Sequence, residues 1–134
     1  MAASFQFELV SPEKLILSKP VAMVTVPGGE GDYGVLAGHA PLITTVRAGV
    51  IDVYGQSEDA VTERVFVAGG FAEVTSDRCT VLAEEAVPVA ELDRAELEEQ
   101  AKNLAEDLGL AKNDAERAAC EVQLATVRAK LRVL

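Results

Sequence analysis

Near Pro88 the hydrophobic period of the chain changes, and no single regular architecture accommodates both halves. Upstream, Phe5, Phe7 and Leu9 alternate with Gln6 and Glu8, the period of a half-buried strand. Ser11-Pro12 breaks that run. Further short apolar runs follow: Leu15-Ile16-Leu17, Val21 to Val26, Leu42 to Val46, Val50 to Tyr54, Val61 to Val67, Phe71 to Thr75, and last Cys79 to Leu82. Pro27-Gly28-Gly29, Gly49 and Ser76-Asp77-Arg78 punctuate them. Strands at intervals of roughly 8–12 residues with turn chemistry between them predict an antiparallel sandwich or a flattened barrel. Helical periodicity is missing here, which argues against βαβ units.

Downstream, β-branched residues thin out and Ala, Glu, Leu, Lys and Arg take over. Leu97, Ala101, Leu104 and Leu108 form one stripe of an amphipathic helix. Asp93, Glu96, Glu98 and Glu99 crowd its start, where the helix dipole favours anions, and Gly109 is placed to stop it. Asn113 is placed to cap a second helix, with Glu116 in capping-box position. The stripe expected on that helix is Ala115, Ala118, Val122, Ala125 and Ala129, with Leu124, Val127 and Leu131 beside it. Arg128, Lys130 and Arg132 match the dipole at its end. The fold class is therefore α+β: a β domain over 1–87 and an antiparallel two-helix hairpin over 88–134. Alanine offers little area to bury at ~25 cal/mol per Å², so the hairpin is expected to lean on a partner.

The 134 residues are 49 % hydrophobic, enough for one domain or two small ones with a core. The net charge of −10 repels phosphate backbones and anionic lipid, which argues against nucleic acid and direct lipid adhesion. Cys79 and Cys120 are far apart and lack metal-ligand spacing, and one histidine completes no zinc site. Free thiols in a reducing compartment are the expectation, with no metal and no cofactor. No early apolar run has signal-peptide length, and none reaches the ~20 residues of a membrane span.

Gly31 to Leu42, GDYGVLAGHAPL, holds the only histidine. His39 has no neighbouring catalytic partner, and neither cysteine nor any serine carries a local catalytic signature. The preceding glycines lack the lysine-serine end of a P-loop, carry two carboxylates, and lead into no helix. The segment reads as a loop of tight turns that needs positive φ at several glycines and presents Glu30, Asp32 and Tyr33.

Taken together, these segments resemble the epsilon subunit family of F-type ATP synthases. FELVSPEKLILS at 7–18, PGGEGDYGVLAGHAPLIT at 27–44 and VAGGFAEVTSDRCTVLAEEA at 67–86 carry the resemblance, with LDRAE and LRVL in the helices. Ala37 stands where the family commonly has proline. The resemblance implies a flattened antiparallel β-sandwich followed by the helical hairpin. It implies a non-catalytic rotor subunit that links gamma to the c ring and couples proton flow to ATP synthesis. By motif position, Glu30, Gly31, Asp32 and Tyr33 face the c ring, and His39, Ala40, Pro41 and Leu42 shape the gamma contact. The hairpin is the family's brake on hydrolysis, which makes Arg128, Lys130 and Arg132 candidate contacts to the alpha/beta catalytic head. The implied location is peripheral, on the cytoplasmic face of a bacterial inner membrane, with the membrane reached only through the c ring.

One departure bears on nucleotide. Family members that bind ATP on the hairpin carry a leucine or isoleucine and aspartate, two residues, then arginine-alanine. Leu92 and Asp93 match, but Glu96 and Leu97 occupy the arginine-alanine positions and Arg94 comes two places early. A carboxylate in place of a phosphate-pairing cation predicts weak or absent ATP binding. The alternative reading is a soluble ligand-binding β-sandwich with a helical dimerisation arm.

Overall fold

The computed structural model describes residues 3–134. The protein divides into two compact units, one ending at Ala90 and one running Glu91–Leu134.

The first unit holds eight strands: β1 (Phe5–Val10), β2 (Leu15–Val21), β3 (Met23–Gly28), β4 (Gly31–Leu36), β5 (Leu42–Thr45), β6 (Gly49–Tyr54), β7 (Glu63–Val74) and β8 (Arg78–Pro88). They hydrogen-bond in the order β2-β1-β8-β7-β6-β3-β4, and β5 pairs with β7 off that path. All pairs are antiparallel except β1 with β8, a parallel seam set by the register Phe7↔Cys79 and Leu9↔Val81. Pro20 lies in β2, an edge strand, where a missing N–H costs no ladder bond. The sheet closes on one core in which Phe7, Leu9, Val24, Val26, Ile51, Val53, Val67, Val74 and Val81 are buried, the inner layer of a sandwich.

Three sequence expectations for the β unit are corrected. Val61 to Val67 and Phe71 to Thr75 are not separate strands, because β7 runs through both. Its Gly69 and Gly70 have φ of +73° and +95°, which lets one strand bend and change partner. Residues before the bend pair with β6 and those after it with β5. The last strand likewise does not stop at Leu82, because β8 follows β7 to Pro88. The glycine-rich segment is not a loop. Gly31 to Leu36 forms β4, the second arm of a hairpin whose tip is Gly29-Glu30, and positive φ occurs at Gly31 and Gly38 but not at Gly28, Gly29 or Gly34.

A single 3₁₀ turn at Val89–Glu91 precedes α1 (Arg94–Gly109) and α2 (Asp114–Arg132). Asp93 caps α1, its carboxylate accepting from Ala95 N at 2.9 Å and Glu96 N at 3.3 Å. Asn113 caps α2 by accepting from Glu116 N at 2.8 Å, and the Glu116 carboxylate reaches back to Lys112 N at 2.9 Å. The α1 stripe is as expected, with Leu97 buried and Ala101, Leu104 and Leu108 half-buried. The α2 stripe is rotated from the expected one. Cys120, Leu124, Val127 and Leu131 turn inward with Ala129, whereas Ala115, Ala118 and Ala125 are exposed and Val122 is 67 % exposed. Branched side chains have more area to bury than alanine, so they take the seam.

Candidate functional site

β3 and β4 pair from Met23↔Leu36 to Gly28↔Gly31, which projects Gly29 and Glu30 as a two-residue tip. The tip rests against β5. Gly29 N donates to Thr45 O at 3.0 Å, and Gly28 bridges Val46. Between tip and strand lies an open depression of about 550 Å³ lined by Glu30, Asp32, Tyr33, Leu42, Ile43 and Thr45 with the glycines.

Asp32 and Tyr33 are adjacent in β4, so their side chains leave opposite faces. The Tyr33 hydroxyl shares a 2.5 Å hydrogen bond with Thr44 Oγ1. Its ring lies over Gly28, where an added Cβ would come within 2.8 Å of it. Burial raises the Tyr33 pKa above 10.0; the Thr44 bond opposes this and the Cys79 thiolate would add to it. On the other face Asp32 pairs with Arg47. Glu30 is exposed and makes no ion pair among the described residues.

His39, Ala40 and Pro41 lie elsewhere. They form the connector between β4 and β5 and do not line the depression, whereas the next residue, Leu42, does. Gly38, at φ +84°, turns the backbone there, and its N–H donates to Ser76 O at 2.7 Å, tying the connector to the β7–β8 turn. His39 Nδ1 donates to the Ala40 carbonyl at 2.6 Å, which occupies the ring in shaping the turn. The structure thus brings Glu30, Gly31, Asp32, Tyr33 and Leu42 together around one depression and sets His39, Ala40 and Pro41 apart.

Periodicity alone misses a second surface. Phe71 pairs with Leu82, Leu82 with Val10, and Val10 with Leu15, so four apolar side chains form a row across β7, β8, β1 and β2. Phe71 is 54 % exposed, Leu82 46 % and Leu15 57 %, while Val10 is half-buried. Ile43 extends the row on β5, where it faces Glu73, two residues along from Phe71. A contiguous exposed row of this kind marks a protein contact.

In the helical unit, Asp93 is engaged as a cap, Leu97 is buried, and Arg94 Nη2 donates to Leu134 O at 3.0 Å. Arg128 and Arg132 are exposed and Lys130 is half-buried, all near the end of α2. Among the described residues no group of His, Cys, Asp or Glu is placed to hold a metal ion, and no helix is long and apolar enough to cross a membrane.

Two family models match the protein. The beta-sandwich domain of the ATP synthase Delta/Epsilon chain matches residues 4–89, and the C-terminal domain of the ATP synthase epsilon chain matches 93–134. The sequence is 59 % identical to the ATP synthase epsilon chain of Rhodospirillum centenum, over 98 % of this protein and 92 % of that one. It is 51 % identical to the epsilon chain of Rhodospirillum rubrum, over 88 % of this protein and 87 % of that one. Among solved structures it is similar to a subunit of the Euglena gracilis mitochondrial ATP synthase, resolved with OSCP, F1 and c-ring. That similarity has a TM-score of 0.82 and 26 % identity, over 99 % of this protein and 82 % of that one. A subunit of the Tetrahymena thermophila mitochondrial ATP synthase, resolved as central stalk and c-ring, shares the fold. Its TM-score is 0.65 at 18 % identity, over 98 % of this protein and 97 % of that one.

Proposed function

The protein belongs to the epsilon chain family of ATP synthases, and from that premise we propose how its two surfaces and its hairpin serve the central stalk of an F-type enzyme. It is a rotor-stalk subunit of that complex, with gamma, the c ring and the catalytic head as partners. It carries no reaction of its own: its role is to hold gamma on the ring so that proton-driven rotation reaches the head. The β unit, residues 1–87 by periodicity, is the rotor contact, and 88–134 is the regulatory arm.

The observation that carries this reading is that one β unit bears both a projecting acidic tip and an exposed apolar row that runs away from it across β7, β8, β1 and β2. A subunit that joins two partners needs two surfaces. The tip, with Glu30, Gly31, Asp32 and Tyr33, faces the polar loops of the c ring, where the exposed Glu30 carboxylate suits a basic partner. The connector His39, Ala40 and Pro41, with Leu42 at the start of β5, contributes to the gamma side, and the row of Val10, Leu15, Phe71 and Leu82 extends that contact. Arg128, Lys130 and Arg132 on α2 are the candidate contacts to the head when the arm acts as a brake. The place of work is the cytoplasmic face of a bacterial inner membrane, reached through the c ring.

The test is assembly. Phe71→Glu and Leu82→Glu place charge on exposed positions, so the protein folds, yet it is expected to lose co-purification with gamma. Retained gamma binding in both variants would remove the apolar row from the reading. A self-associated protein that never enters the complex would favour the ligand-binding alternative instead.

The hairpin is expected to bind ATP weakly or not at all. The aspartate that matches the nucleotide motif is engaged as a helix cap, and the family's alanine position is a buried leucine. Calorimetric titration of the full-length protein with ATP should show no binding in the micromolar range.

A further inference from the structure

The β3–β4 tip is poor in its own stiffness. Gly28, Gly29 and Gly31 flank Glu30, and glycine gives the backbone its widest freedom. A contact that transmits torque needs a tip held in one geometry. We infer that Arg47 is the positioning residue that holds it, acting through Asp32, so that Glu30 is the carboxylate presented to the c ring. The inference rests on the proposal that this tip is the ring contact.

Arg47 lies in the β5–β6 connector, and its backbone is fixed before its side chain acts. Its N–H donates to Pro27 O at 2.9 Å, and the preceding Val46 N donates to Gly70 O at 3.0 Å. Gly49 leaves room beside it: an added Cβ there would lie 2.9 Å from Pro27 Cβ and 3.5 Å from Arg47 Nη1. From that base the guanidinium pairs with Asp32 on one face of β4, while Tyr33 is held by Thr44 on the other. The tip is therefore gripped from both faces. The pair is exposed and adds little to global stability, so its consequence is local order and charge. Arg47 cancels the Asp32 carboxylate, which leaves the tip with one uncompensated acid, Glu30.

The test uses vesicles carrying the complete ATP synthase with the full-length subunit. ATP-driven proton pumping per ATP hydrolysed and hydrogen exchange of the amides of residues 31–33 are both read. Arg47→Ala and Asp32→Asn are each expected to lower the pumping ratio about two-fold, and the double variant to fall no further, because one pair is broken once. Arg47→Lys is expected to restore most of the ratio. Tip amides should exchange faster in step, while the unfolding temperature of the subunit stays unchanged, a combination that a merely structural role would not produce. Unchanged pumping and exchange in Arg47→Ala, or multiplied losses in the double variant, would overturn the inference. Glu30→Lys separates it from its premise. A fall in that variant with none in Arg47→Ala leaves the tip as the ring contact and removes Arg47. An unchanged ratio in Glu30→Lys removes the tip itself, and the Arg47 inference with it.

Discussion

Cys79 sits fully buried where β1, β7 and β8 meet, and burial pushes its thiol from the ordinary 9.0 up to about 12. The folded protein keeps this proton where the unfolded one releases it. The stability from the neutral thiol is therefore complete below about pH 9 and declines as pH rises toward about 12. Tyr33 shifts in the same direction. The urea midpoint should accordingly be lower at about pH 10.5 than at about pH 8. Iodoacetamide near neutral pH should modify the half-buried Cys120 and leave Cys79 unmodified until the protein unfolds. Gly70 makes a different demand. It holds φ +95°, and a Cβ there would sit on the Leu82 carbonyl oxygen. Gly70→Ala should cost about 2–4 kcal/mol, read as a fall in the unfolding midpoint. An apolar run around Cys79 points to thiol burial; nothing local points to the Gly70 constraint, because it depends on where β8 lies.

At the scale of elements, local signals are legible in the sequence and pairing is not. The cap at Asn113 is readable because it is written within four residues with Glu116, whereas Asp93 reads only as one of several acids at a helix start and is singled out as the cap by its bonds to Ala95 N and Glu96 N. Asn113→Ala should destabilise α2 by about 1 kcal/mol, measurable as lost helical ellipticity and a lower melting point. The face of α2 is harder to read, since alanines and branched residues both recur at helical spacing. Burial separates them. Val127→Ala should cost about 1–3 kcal/mol, whereas Val122→Ala should be near neutral in the same melt. Strand β7 reads as two pieces because glycine pairs usually end strands; here they bend one. The tip's partners, Thr44 and Arg47, are invisible to motif reading for a similar reason: each reaches back 11 or 15 residues, to Tyr33 and Asp32.

For the whole molecule, the division at Ala90 allows the two units to be tested separately. A truncation ending there retains every strand of the sandwich and its core. It is expected to bind gamma still, while ATP hydrolysis by the assembled head rises because the arm is gone. Unchanged hydrolysis with gamma still bound would leave coupling as the whole function of the protein. Readable in the sequence by itself were the order of the parts, β then α, the first strand, the α1 stripe, the Asn113 cap, and a family resemblance carried by GDYGVLAGHAPL. These follow from periodicity and short-range hydrogen bonding, which a linear polymer displays directly. That Phe71, Leu82, Val10 and Leu15 form one row, and that Arg47 meets Asp32, emerges only once the strands are paired. The physical reason is register: which side chains become neighbours depends on how strands far apart in sequence slide into pairing, and a shift of one residue would turn every one of them to the other face.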